Sequence, residues 1–450
     1  RFFPDSDTTV DVSIIHADLN NGYDAWSRDN SFTTLSNEPG EDSQLSNAGS
    51  LRMNWAGNPN YNFTSKTSAT SNEMTYSFDE DWTSANWGTY LNKKTRKTIT
   101  QELRWTSSEQ SKISDNTDWL AGVYLSDLVE KNETEYYGSA RSDYELQKLA
   151  SFGQLDFQTT PKTTISAGAR IENNASSFEN SADESFKPSE TLWGAHLTYS
   201  HKYNSTYTAF AGLTRGYKAG GFNPGLPAGS SGKYLNYEAE TLINYEIGFK
   251  SQFKELGLKT NITFFYMDRE NPQFDGYSYD PVTGANWVFF TENFDSAQNY
   301  GLEGDFNWDL NNSINLYGSL GLIQTQVSGT ALNSNFKVDG REQAHAPNYQ
   351  ANLGVKYRTN SGIFVQGDIT AVDKFFFDNT HNLESDAYTL INARLGYENK
   401  DYEVYVWGKN VTDEEYATRG YENFFGDPGI DKFVRLGDPR QFGVTVRVYF

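Results

Sequence analysis

The residues able to do chemistry in this chain are many, but their spacing favours binding over catalysis. The five histidines (His16, His196, His201, His345 and His381) are scattered, with no His-x-x-x-His pair to place two imidazoles on one helix face around a metal. Ser231-Gly232-Lys233 resembles the tail of a phosphate loop, but Pro227 stands where the first Gly is required and Tyr234 where the Ser/Thr hydroxyl is required. There is no Cys, hence no thiolate nucleophile and no disulfide framework. With 59 acidic residues, chance carboxylate pairs are inevitable and none stands out. The expectation is a protein without catalytic residues, metal site or resident cofactor. Binding residues are easier to nominate. The stretch 203–237 holds no Asp or Glu but carries Arg215, Lys218 and Lys233, a basic patch in a chain of net charge -22. In an outward loop it would attract an anion; otherwise Gly220 and Gly221 serve backbone geometry. Aromatic residues cluster at Trp82, Trp87 and Tyr90, at Tyr277, Tyr279 and Trp287, at Phe375, Phe376 and Phe377, and at Phe424 and Phe425. They could stack on a planar ligand or simply pack loops together. Arg341 and His345 precede Pro347 in another loop. The candidate ligand residues are Arg215, Tyr217, Lys218, Trp287, Arg341 and Phe376.

Elements must position these side chains, and the periodicity names them. At the C-terminus Phe442, Val444, Val446, Val448 and Phe450 point one way, while Gly443, Thr445, Arg447 and Tyr449 point the other. The same alternation recurs in Leu258, Thr260, Ile262, Phe264 and Tyr266, in Leu353, Val355 and Tyr357, and in Tyr402, Val404 and Val406. Aromatics make up 15% of a chain whose mean hydropathy is only -0.69. No run approaches the ~20 apolar residues of a membrane helix. A membrane β-barrel reconciles the two facts, because only alternate residues of each strand face lipid. Connector lengths agree. Short polar turns at 56–59, 159–162, 201–204, 309–312, 358–361 and 398–401 alternate with long connectors near 19–42, 82–93, 217–237, 328–346, 373–386 and 412–439. The expected fold is all-β, a transmembrane antiparallel barrel with about 18 strands, each needing ~10 residues to cross. The acidic net charge excludes a nucleic-acid partner.

Several local runs, taken in order, resemble the TonB-dependent outer-membrane receptor family. They are Gln101-Glu102-Leu103-Arg104, Arg215-Gly216-Tyr217-Lys218-Ala219-Gly220-Gly221-Phe222-Asn223, Asn244-Tyr245-Glu246-Ile247-Gly248, Tyr300-Gly301-Leu302-Glu303-Gly304, Gly340-Arg341-Glu342, and Asn410-Val411-Thr412-Asp413 with Pro439-Arg440. The resemblance implies a 22-stranded barrel around an N-terminal plug. Residues 1–450 then read as one partial barrel domain, entering near the fifth strand, with the plug and first strands absent. It further implies a receptor in the Gram-negative outer membrane that imports a ferric siderophore, a small-molecule iron chelate, driven by the TonB energy-coupling complex through the plug. Other expected partners are outer-membrane lipids, lipopolysaccharide, and the barrel assembly machinery, which would read Phe442, Val444, Val446, Val448 and Phe450 as an assembly signal. Polar-face residues Arg394, Glu403, Lys409 and Arg447 would meet the plug or water, or simply balance charge. Uptake of haem, cobalamin or an oligosaccharide, a passive porin, and a soluble all-β binding protein are the competing readings.

Overall fold

Alternation of apolar and polar residues over eight to twenty-two positions yields strand after strand. The computed structural model describes residues 1–450 other than 23–25, 39, 136–137, 224–234, 280–286, 330–337, 424 and 450, with backbone alone for 277–279 and 287–289. Eighteen described strands have eight or more residues. They are β1 (Thr8–Asn20), β2 (Glu41–Asn58), β3 (Tyr61–Asp79), β4 (Thr89–Ser107), β5 (Thr117–Glu135), β6 (Ser139–Thr160), β7 (Thr163–Asn180), β8 (Ser189–Lys202) and β9 (Tyr207–Lys218). There follow β10 (Glu240–Phe253), β11 (Leu258–Glu270), β12 (Ser296–Asp309), β13 (Ile314–Ser328), β14 (Tyr349–Arg358), β15 (Ile363–Val372), β16 (Tyr388–Glu398), β17 (Tyr402–Lys409) and β18 (Gln441–Val448). One 3-10 turn, Lys254–Leu256, lies between β10 and β11. No helix among them is long and apolar enough to cross a membrane.

The chain divides into two compact units, 1–198 with 214–241 and 278–293, and 199–213 with 242–277 and 294–450. In the first, β1 to β7 form an antiparallel meander in which each strand pairs with the next. One row of cross-strand partners runs Ile14, Gly49, Ala69, Ile99, Asp127, Gln147, Ala175. Partners share a face, so Ile14, Leu51, Ile99, Leu125, Leu149 and Ile171 lie together, all exposed. In the second unit β11 to β18 pair in the same sequential way. There Leu353, Val355, Leu395, Val404 and Val406 are exposed, and Phe442 and Val444 reach 71% and 67%. The opposite parity is less exposed, and on β17 it is buried: Glu403 is 6% exposed and Tyr405 8%. These numbers exclude a sealed apolar interior; the aliphatic rows form an outer skin and the polar rows face inward. β1 departs from the rule, because Ile15 on its other parity is also exposed. The buried apolar cluster in the second unit is small: Phe294, Ala297, Val327 and Val338, with Phe274 packed against them.

Connectors follow the strand order. After even-numbered strands they span two to nine residues, as at 59–60, 108–116, 161–162 and 399–401. After odd-numbered strands they are mostly long, reaching 31 residues at 410–440. Those after β3 and β7 are shorter, nine and eight residues, and β5 and β6 are only three residues apart. Those two strands are 19 and 22 residues long, about twice what a bilayer needs, so paired strand replaces loop there.

Candidate functional site

In the second unit three long connectors are knitted together by two cations, Arg341 and Lys432. Arg341 follows β13 and is fixed by backbone bonds, accepting from Val327 N at 2.9 Å and donating to Val338 O at 3.0 Å. Its side chain crosses to connector 373–387, where Nη2 donates to the Asp378 carbonyl at 2.6 Å and to the His381 carbonyl. The guanidinium carbon lies 4.3 Å from the centre of the Phe376 ring, in cation–π range. Beside it the His345 amide donates to the Phe376 carbonyl at 2.9 Å, and the His345 ring sits 5.3 Å from that of Phe375. From connector 410–440, Lys432 Nζ donates to the Glu384 carbonyl at 2.8 Å and faces the Phe377 ring. Phe377, His381 and Phe433 are buried. Burial pushes the Arg341 guanidinium down to about 10, with Asp378 opposing, and holds both His345 and His381 below the ordinary imidazole value. The result is a half-buried cation that covers the Phe376 ring and clasps two backbone carbonyls, in connectors that also hold two imidazoles neutral.

Arg341 and Phe376 are thus brought together. The other four candidates belong to the first unit. Arg215 stacks 3.9 Å over Trp193 and donates to its carbonyl, on the exposed apolar face shared with Leu197. Tyr217, two residues on, accepts at its hydroxyl from Arg170 Nε at 3.3 Å, on the polar face. Lys218 is exposed at the end of β9. Trp287 begins the short strand Trp287–Asn293, and its side chain lies outside the described residues, as do Lys233, Phe424 and Phe450.

The Gly-Gly-Phe-Asn part of the same motif holds backbone. A Cβ on Gly220 would lie 2.8 Å from the Tyr237 carbonyl, so only glycine admits the pairing of Gly221–Phe222 with Asn236–Tyr237. Phe222 stacks on Phe186 at 5.0 Å and meets Phe178 at 5.2 Å. Asn223 grips Thr291 reciprocally, donating to its carbonyl and accepting from its amide, each at 2.8 Å. From the sequence no role was given to Asn223, Asp378, His381 or Lys432; only Asn223, closing a Gly-Gly run at a strand end, carried a local signal. On the polar face of the second unit Arg447 pairs with Glu403 at 2.9 Å, and Arg394 Nε donates to Gln366 at 2.9 Å. Among the described residues no group of three His, Cys, Asp or Glu is arranged to hold a metal.

Solved structures give the fold. The chain matches the ferric yersiniabactin uptake receptor FyuA from Yersinia pestis with a TM-score of 0.80 at 17% identity, covering 99% of this chain and 69% of that one. It matches the copper transporter OprC with a TM-score of 0.78 at 13% identity, covering 99% and 72%. The fold is therefore an all-β, antiparallel transmembrane barrel. The family model described as TonB dependent receptor-like, beta-barrel matches residues 3–411, and the chain belongs to that family, which resides in the Gram-negative outer membrane. Among curated proteins, the ferric enterobactin receptor of Pseudomonas aeruginosa is 23% identical over 298 residues, which are 61% of this chain and 36% of the receptor. The chain thus spans about a third of that relative's length.

Proposed function

We propose that residues 1–450 form the barrel portion of an outer-membrane importer that takes up a ferric chelate with energy supplied through TonB. Arg341 and Phe376 face the chelate, while Arg215, Tyr217, Lys218 and the rest of their motif hold a connector in place. The observation that carries the reading is the Arg341 cluster, a cation on an aromatic face among long connectors, within a chain of this family. Relatives named for ferric enterobactin and ferric yersiniabactin support an iron chelate as cargo, and the copper transporter of like fold is why cargo needs its own test. The exposed apolar rows fit outer-membrane lipid, and lipopolysaccharide would flank them. On this reading the barrel assembly machinery engages Phe442, Val444, Val446, Val448 and Phe450. The test is growth of a deletion strain on single iron sources. Loss of growth on one or more ferric siderophores, restored by the intact gene and not by its Arg341→Ala form, is the expected outcome. Undiminished growth on every ferric chelate, or loss confined to haem, cobalamin or an oligosaccharide, overturns it.

A further inference from the structure

Arg215 stands where a charge is least expected, on the exposed apolar face of the first unit. It lies three residues from the end of β9, at the end that opens into the long connector 219–239. Across from it on β8 Trp193 is 52% exposed, and Leu197, four residues on and of the same parity, is 50% exposed. Ile171 of β7 is exposed as well. This is the outer skin, away from the polar face. A strand needs only ~10 residues to cross hydrocarbon, which puts Arg215 at the margin of the aliphatic band on the long-connector side.

The guanidinium is oriented but not neutralised. Its carbon lies 3.9 Å from the centre of the Trp193 ring, and Nη1 donates to the Trp193 carbonyl. Nε and Nη2 have no acceptor among the described residues. No carboxylate is at hand either. β7, β8 and β9 carry three, and each is engaged elsewhere. Glu172 pairs with Arg170 on the polar face, Glu179 with Lys187 at 3.1 Å, and Glu190 accepts from the Gly220 amide at 2.8 Å. A cation on a lipid-facing surface is costly at mid-depth and tolerated toward the interface, where anionic headgroups can meet it. The fork of an arginine matches phosphate bidentately, and the indole already holds one face of this fork flat.

We propose that Arg215 and Trp193 anchor a phosphate-bearing lipid of the outer leaflet, with the phosphate on the open edge of the fork and an acyl chain along the exposed aliphatic residues of β7 and β8. The proposal rests on the reading that the apolar rows face lipid, and adds where that skin selects a lipid and by what chemistry. The probe is bisphosphorylated lipid A, added to the full chain in detergent micelles and followed by native mass spectrometry. A first molecule should bind at concentrations where uncharged diacylglycerol does not, and added salt should weaken it. Arg215→Gln lowers the affinity about tenfold, the scale of a lost charge-assisted pair. Arg215→Lys keeps the charge without the fork and lowers it about threefold. Lys400→Gln, in the turn between β16 and β17, changes nothing. The proposal is overturned if lipid A binds no better than diacylglycerol, or if Arg215→Gln binds it as the parent does. It is equally overturned if inorganic phosphate at equal concentration displaces the lipid, or if a second copy of the chain takes its place. A chain that inserts into phosphatidylcholine vesicles but ignores lipid A loses this site alone. A chain that stays in buffer removes the lipid-facing reading as well.

Discussion

Arg341 shows how one side chain can join segments far apart in sequence. Its fork reaches two carbonyls 37 and 40 residues downstream, and its plane covers Phe376. Replacing it with Gln removes the charge and the stack and keeps at most one carbonyl bond. We expect about 2 kcal/mol less protection of connector 373–387, read by amide hydrogen exchange. Unchanged exchange there would show that Arg341 is not the clasp. Asn223→Ala deletes both bonds to Thr291. The expected result is a loss of about 2 kcal/mol, seen as faster proteolysis within 219–239 while strand exchange stays constant. The sequence placed both residues in loops but gave no sign of their partners, because a carbonyl acceptor has no residue type to recognise.

At the scale of elements, the connector cluster should respond to acid. Burial keeps His345 and His381 neutral and holds their folded values below 6.5. When the connectors open, both imidazoles regain the ordinary value and bind protons more readily than in the closed form. Closure is therefore fully stable above 6.5 and weakens as pH falls through it. Protection factors in 373–387, taken relative to the intrinsic exchange rate at each pH, should fall between about pH 7.5 and about pH 5.5, and His381→Gln should blunt the fall. A flat profile would mean that the imidazoles stay uncharged or remain solvated. The strands themselves were largely legible: the expected count of about eighteen matches the eighteen long strands, and most short turns fall where polar residues interrupt the alternation. The β5–β6 pair was not foreseen as a projection, since alternation reports which faces a strand has but not where along it the membrane ends. The faces that Arg215 and Tyr217 meet also escaped prediction. Their spacing places them on one face, yet one meets exposed Trp193 and the other inward Arg170.

For the molecule as a whole, the two faces of each strand meet different solvents, and substitution should follow parity rather than exposure. Val446 and Thr445 are neighbours on β18, and Val446 is exposed. In an aqueous globular protein Val446→Arg would be harmless. On a lipid-facing skin it should cost about 2–4 kcal/mol near the bilayer midplane, whereas Thr445→Arg on the polar face should cost far less. Urea unfolding in lipid vesicles measures both; equal, small effects would refute the lipid-facing assignment.

Parity, strand number and connector rhythm were fixed by the sequence alone, because period-two alternation is local and water and hydrocarbon sort it without reference to distant residues. Which cation meets which ring, and which carboxylate each arginine engages, was decided only in the tertiary structure. Those contacts depend on cross-strand register and on connectors that bring together residues tens of positions apart, and neither leaves a local trace in the chain.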